Sequence, residues 1–220
     1  MTVNDFIAVF RSDMQDAVAP YLWSDDDIVR YLNDAVDEAA ERARLIEDST
    51  SAACCQITLV PDQATYPLHT SVFHVKRVTL AGKPLSESSV EVEDERNTTW
   101  ESASSGDPSR FIVNGQATTI TLVPAPAEAG TLKLTVYRTS LARLTAGTSQ
   151  IELKQVYHAR LKDWAYRCAY LKQDSETLNE SKAGEHEAKF ERAFGVRPSA
   201  DTQRKRNDRR PPVVRMNPGW

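Results

Sequence analysis

Residues 131–138 read Thr-Leu-Lys-Leu-Thr-Val-Tyr-Arg. Leu132, Leu134 and Val136 alternate with Thr131, Lys133, Thr135 and Tyr137, so a strand here buries one face and wets the other. Upstream, the same step of two, or nearly so, recurs in Ile57 and Leu59, Tyr66 and Leu68, Phe73 and Val75, Val78 and Leu80, Val90 and Val92, Phe111 and Val113, and Ile120 and Leu122. Turn chemistry separates these runs: Ala81-Gly82-Lys83-Pro84, the loop from Ser102 to Pro108, the hairpin pair Asn114-Gly115, and Pro124-Ala125-Pro126. About six short strands joined by turns predict an antiparallel β-sandwich or small barrel over residues 51–150.

On both sides of this region the period changes to that of a helix. Phe6, Ile7, Val9, Phe10 and Met14 mark a first helix, with Asn4 as its expected N-cap. Pro20 and Tyr21-Leu22-Trp23 break it. Ser24 with Asp27 reads as a capping-box-like start for a second helix, whose apolar face is Ile28, Tyr31, Leu32, Ala35, Val36, Ala39 and Ala43. Asp25, Asp26 and Asp27 suit the positive end of its dipole, and Glu38 and Arg42 are expected to pair on the opposite, solvated face. From Ser24 to Asp48 nine acids and three arginines give a net charge of −6, which is either a solvated face or an acidic wall that meets a basic segment.

Helix resumes near Glu152, with Tyr157, Leu161, Trp164, Cys168 and Leu171 on one stripe. Asp174 or Ser175 is the expected N-cap of a last helix ending at Phe194-Gly195, and Glu185 and Lys189 pair along it. Its apolar positions are sparse: Leu178, Ala183, Phe190, Ala193 and Phe194. Such a helix leans on its partner along a narrow stripe or completes its burial against another subunit.

The fold class expected is therefore α+β. Residues 1–50 and 151–196 form a bundle of about four helices, two N-terminal and two C-terminal, around a central β insert. Residues 197–220 form an extended basic arm. That arm carries Arg197, Arg204, Lys205, Arg206, Arg209, Arg210 and Arg215 against Asp201 and Asp208, a net of +5. With the whole chain at −4, residues 1–196 carry −9. Four prolines and few apolar residues prevent the arm from building a core. It ends in Val213, Val214, Met216 and Trp220, an adhesive rather than a solvating end. Extended, it spans roughly 80 Å.

Several chemistries find no support. Cys54, Cys55 and Cys168 are odd in number and two are adjacent, which predicts three reduced structural cysteines rather than a disulfide framework. No CxxC or HxxxH occurs, so no metal site is expected. Glu185-His186-Glu187 does not converge on a helix, and His158 and Asp163 do not share a face. GxSxG, GxxxxGK[ST] and GxGxxG are absent, so no catalytic residue and no cofactor are expected. No run reaches the roughly 18 apolar residues of a membrane span. The opening Met1–Asp5 has no basic n-region, so no secretory signal is expected.

The order of elements, with its local patterns, resembles the head-to-tail adaptor (connector, head-completion or neck) proteins of tailed bacteriophages. The patterns are Leu22–Ile28 running into Tyr31–Ala35, Tyr66-Pro67-Leu68, Trp100 with Gly106-Asp107-Pro108, Ile120–Pro126, and Leu132–Arg138. Tyr157-His158, Tyr170, Asp174, Glu176-Thr177, Phe190 and Phe194-Gly195 complete the set. Cys54-Cys55 is a departure from it. The resemblance implies a structural protein of the virion at the head-tail junction, assembled in the host cytoplasm. Its partners would be the portal protein, further copies of itself in a ring of about twelve, and a distal tail or nozzle protein. Genome DNA would pass the lumen without specific binding. The arm would dock on the portal through Arg204, Lys205, Arg206, Arg209, Arg210, Val213, Val214, Arg215, Met216 and Trp220. A nucleic-acid-binding role for the basic arm and a virion-associated peptidoglycan-degrading enzyme are the alternatives.

Overall fold

Secondary structure begins with a helix whose cap is not the expected one. In this computed structural model, which describes residues 1–114, 118–147, 149–173, 177–199 and 202, helix α1 spans Val3–Asp13. Thr2 caps it, accepting from Asp5 N at 3.2 Å while Asp5 Oδ2 accepts from Thr2 N at 2.8 Å. That reciprocal box satisfies two orphan donors at once, where Asn4 would satisfy one. The buried Asp16 carboxylate then accepts from Leu22 N, Trp23 N and Arg11, which fixes the break before α2 (Asp25–Ala43). Ser24 caps α2 as its spacing predicts.

The elements that follow are β1 (Glu47–Asp48), α3 (Ala52–Cys55), β2 (Gln56–Leu59), β3 (Thr65–Pro67), β4 (Val72–Leu80), β5 (Lys83–Pro84), β6 (Ser86–Glu87) and α4 (Val90–Arg96). A single 3-10 turn, Trp100–Ser102, precedes β7 (Arg110–Asn114), β8 (Thr119–Val123) and β9 (Gly130–Arg138). Helices α5 (Gln155–Tyr170) and α6 (Glu180–Phe194) close the order. Asn179 caps α6; Asp174 and Ser175, the caps expected for it, lie outside the described residues. The mixed α+β class is as read. Neither sheet closes into a barrel among the described residues.

The chain divides into two compact units, one of residues 1–46 and 138–197 and one centred on residues 47–137. In the second, β9 is the strand on which one sheet is built. It pairs antiparallel with β1 through Asp48 and Val136 and with β2 through Ile57 and Leu132, and β4 lies on its other edge. Leu132, Leu134 and Val136 are buried and Lys133 is exposed, so the alternation translates into burial without a slip. The other sheet runs β3-β8-β7-β6, with β6 parallel to β7. The β7–β8 hairpin forms with Asn114 opposite Thr119; Gly115 falls outside the described residues. Side chains of both sheets share one core, from Leu59 and Val78 to Phe111, Leu122 and Leu134.

Val90 and Val92, read as part of a strand, lie in helix α4. Two valines outweigh nothing here, because Ser89 accepts from Val92 N and Glu91 and Glu93 sit in the first turn, where carboxylates favour the helix. Glu93 is 1% exposed and accepts from Arg110 Nε at 2.8 Å and from the Ser88 hydroxyl. Val90 is left exposed.

In the first unit α1, α2, α5 and α6 share a core that includes Phe6, Phe10, Ile28, Leu32, Leu161, Trp164, Phe190 and Phe194. The α5 stripe is turned relative to its reading: His158, Leu161, Ala165 and Ala169 are buried, Cys168 is half-buried and Leu171 is exposed. On α2, Ala43 is exposed and the buried arc takes in Asn33, whose side chain exchanges hydrogen bonds with both backbone groups of Leu144. The Glu38–Arg42 pair forms at 2.8 Å, but not on a solvated face: the two side chains are 9% and 2% exposed. The guanidinium lies about the rings of Trp164 and Phe190, at 5.1 and 5.2 Å from their centroids.

Two stability changes follow. Arg42→Met strands the Glu38 carboxylate in the interior and should cost about 3–5 kcal/mol in urea unfolding, and the double substitution E38L/R42M should recover most of that loss. Burial pushes the Glu93 carboxyl up, and the hydrogen bonds from Arg110 and Ser88 outweigh it, holding the group below its ordinary 4.5. Its stabilisation is thus complete above that ordinary value and lost as pH falls through the lower folded value. Glu93→Gln should cost about 1–3 kcal/mol at neutral pH, and its melting-temperature deficit should shrink in acid.

Candidate docking arm and its root

The arm starts where α6 stops. Gly195 adopts φ 88°, a conformation that favours glycine, and its N–H returns to Glu191 O at 2.7 Å. This leaves the Gly195 carbonyl pointing away from the helix ladder, and Arg42 Nη1 donates to it at 3.1 Å. Two residues on, Arg197 Nε lies 3.5 Å from Glu38 Oε1, the oxygen that also accepts from Arg42 Nε. Arg197 is 63% exposed in its side chain, so its own pairing contributes at most about 1 kcal/mol. The firm hold is the buried Arg42. Ser199 Oγ then accepts from Thr202 N at 3.2 Å. Arg204, Lys205, Arg206, Arg209, Arg210, Val213, Val214, Arg215, Met216 and Trp220 lie outside the described residues.

The acidic stretch Ser24–Asp48 does meet basic groups, and they belong to its own chain. Asp25 pairs with Arg11 at 2.6 Å, Asp27 with Arg30 and Lys172 at 2.9 and 3.3 Å, and Asp37 with Arg143 at 2.8 Å. Glu47 pairs with Lys76 at 2.8 Å, and Glu38 with Arg42 and Arg197. Arg30 and Arg42 pair at helical spacing, but Arg11, Lys76, Arg143, Lys172 and Arg197 come from distant positions, which no local pattern announces.

His158 and His186 each make a hydrogen bond within the helical unit. His158 faces Leu153 O through Nε2 at 2.7 Å, not Asp163. Asp163 instead pairs with His186 Nδ1 at 2.9 Å, joining α5 to α6, with the imidazole stacked on Tyr170 and edge-on to Tyr166. Sequence spacing could not find this pair, because its members sit on different helices. Cys168 packs against the helical core. Cys54 and Cys55 are buried in the β core, where they meet Asp48. Burial, followed by the neighbouring Cys54 and Asp48, pushes the Cys55 thiol up to about 12. No described helix is long and apolar enough to cross a membrane.

Two of the stretches that carry the family resemblance are brought together in the β unit. Gly106 N donates to Ala125 O at 2.8 Å and Ala127 N to Gly106 O at 3.0 Å, so Gly106-Asp107-Pro108 lies against Pro124-Ala125-Pro126. Asp62 completes the junction, its N–H on Pro126 O at 2.8 Å and its carboxylate accepting from Ser105.

No curated protein matches the chain. A family model described as SU10 adaptor protein matches residues 1–216, which takes in both units and the arm as far as Met216. On that match over nearly its full length, the chain belongs to the SU10 adaptor protein family, a phage head-tail adaptor family.

Proposed function

We propose that this protein is the repeating subunit of an adaptor ring of about twelve copies that joins the portal at the capsid vertex to the tail and lines the DNA passage. The observation that carries the reading is the family match, which runs through the basic arm to Met216. The rooted start of that arm supports it. Arg42 fixes the point at which the chain leaves α6, so an arm of +5 departs from a defined place on an acidic body.

In this reading the arm orders on the portal, and its parts do different work. Arg204, Lys205, Arg206, Arg209 and Arg210 steer toward and pair with acidic portal surface. Val213, Val214 and Met216 add an edge strand to a portal sheet, and Trp220 fills a pocket. The distal face of the ring receives a tail or nozzle protein. Genome DNA passes an acidic lumen whose charge disfavours phosphate binding. The clustered basic residues favour one other reading, an arm that binds nucleic acid.

Deleting residues 203–220 spares the root at Gly195 and Arg197. The truncated protein should keep its circular dichroism and melting temperature and lose its cosedimentation with purified portal rings. Normal attachment by the truncated chain would remove the arm from the mechanism. Reversing Arg204, Lys205 and Arg206 to Glu should weaken portal binding and flatten its salt dependence, whereas serine at Val213, Val214 and Met216 should weaken it at every salt concentration. A gel shift of duplex DNA by the full chain at moderate salt, with a steep salt slope, would favour the nucleic-acid reading instead.

A further inference from the structure

The adjacent pair Cys54-Cys55 has no part in the adaptor reading, and the fold places a carboxylate beside it. We propose that Asp48, Cys54 and Cys55 form a binding site for a thiophilic divalent cation of the zinc class.

The argument begins with backbone placement. Asp48 sits on β1 opposite Val136, and Gln56, the residue after Cys55, begins β2 opposite Lys133. Both ends of the segment that carries the three donors are therefore held by one strand, β9. Asp48 Oδ1 accepts from Thr50 N at 2.9 Å, the Thr50 hydroxyl at 3.3 Å and Ser51 N at 3.1 Å. These bonds fix the carboxylate and turn Oδ2 toward Cys54, the orientation that outer hydrogen bonds give a ligating carboxylate.

The donor separations suit a tetrahedral ion. Cys54 Sγ lies 3.6 Å from Cys55 Sγ and 3.8 Å from Asp48 Oδ2, and the three donor atoms lie within 4.8 Å of one another. With Zn–S near 2.3 Å and Zn–O near 2.0 Å, the edges of a tetrahedron are about 3.8 Å between sulfurs and about 3.5 Å between sulfur and oxygen. Two sulfurs in the set select a soft or borderline ion over magnesium or calcium, which take oxygen. The site supplies three of four ligands. Binding exchanges the two S–H protons, released to solvent, for two metal–thiolate bonds, so affinity falls as pH falls. The ion would close the segment between β1 and β2 and add its binding free energy to the stability of the β unit.

Reduced, chelator-treated full-length protein is titrated with Co2+. Binding of one equivalent, with thiolate-to-cobalt charge transfer and the absorption of a tetrahedral ion, is expected. X-ray absorption of the wild type loaded with Zn2+ should show two sulfur ligands at about 2.3 Å, a readout that needs no variant. Cys54→Ser with Cys55→Ser should abolish the charge-transfer band, Asp48→Asn should weaken binding about 10-fold or more while its oxygen still caps Thr50 and Ser51, and Cys168→Ala should change nothing. Absorption spectra without sulfur ligands, or a cobalt band that survives loss of both cysteines, overturns the site.

Discussion

A guanidinium whose side chain is 2% exposed has to find its partners in the protein, and Arg42 draws three helices and the start of the arm into one arrangement. It donates to Glu38 within α2, meets the ring faces of Trp164 on α5 and Phe190 on α6, and reaches the Gly195 carbonyl beyond the last helical turn. Each contact is modest alone. Together they satisfy a charge whose desolvation would otherwise cost several kcal/mol, and they are met only when α5 and α6 are both in place. A hydrocarbon side chain could pack there equally well. It could not specify where the Gly195 carbonyl must point, and that carbonyl decides how the chain leaves the body.

The β unit has a corresponding constraint in β9. One strand receives β1, β2 and β4, so the register of Leu132, Leu134 and Val136 governs which face of three neighbours is buried. A slip of one residue would send Lys133 into the core. Arg138, the next buried residue after Val136, pairs through its guanidinium with Glu152 and through its N–H with Ile46 O at 3.2 Å, contacts that belong to the helical unit. The strand thus changes allegiance between Tyr137 and Arg138.

These two constraints differ in how far the sequence reveals them. The alternation in β9, the Ser24 cap, the glycine at 195 and the helix-sheet-helix order are all local, carried by residues a few positions apart. They are legible because local backbone physics repeats at short range. Arg42 and Glu38 are local too, yet their burial was not legible: four-residue spacing says that they pair, and the rings that cover them come from positions 164 and 190. Helix α4 was misread for a related reason. Val90 and Val92 alternate as a strand would, and the deciding terms are the Ser89 cap and an ion pair from Glu93 to Arg110, seventeen positions away. Asp163 and His186, and the trio Asp48, Cys54 and Cys55, were missed because motif spacing looks along one element at a time. The residues proposed to work in the arm, from Arg204 to Trp220, were chosen on composition alone, and they lie outside the described residues.

The charge of the body also reads differently once its contacts are known. A net of −9 suggests an acidic surface waiting for a basic arm. Of the nine acids between Ser24 and Asp48, however, Asp25, Asp27, Asp37, Glu38 and Glu47 already face lysine or arginine of the same chain. Asp48 is occupied by Thr50, Ser51 and Cys54. A second arginine arriving at such a carboxylate gains less than the first, because it meets a neutralised pair rather than a charge. Arg197 illustrates this, standing 3.5 Å from a Glu38 oxygen that Arg42 already holds at 2.8 Å. The α2 helix of a neighbouring copy is therefore a poorer destination for the arm's clusters than its acid count implies. That physical argument favours carboxylates on another protein as partners for the proposed arm, and it is compatible with the portal proposed on the family match.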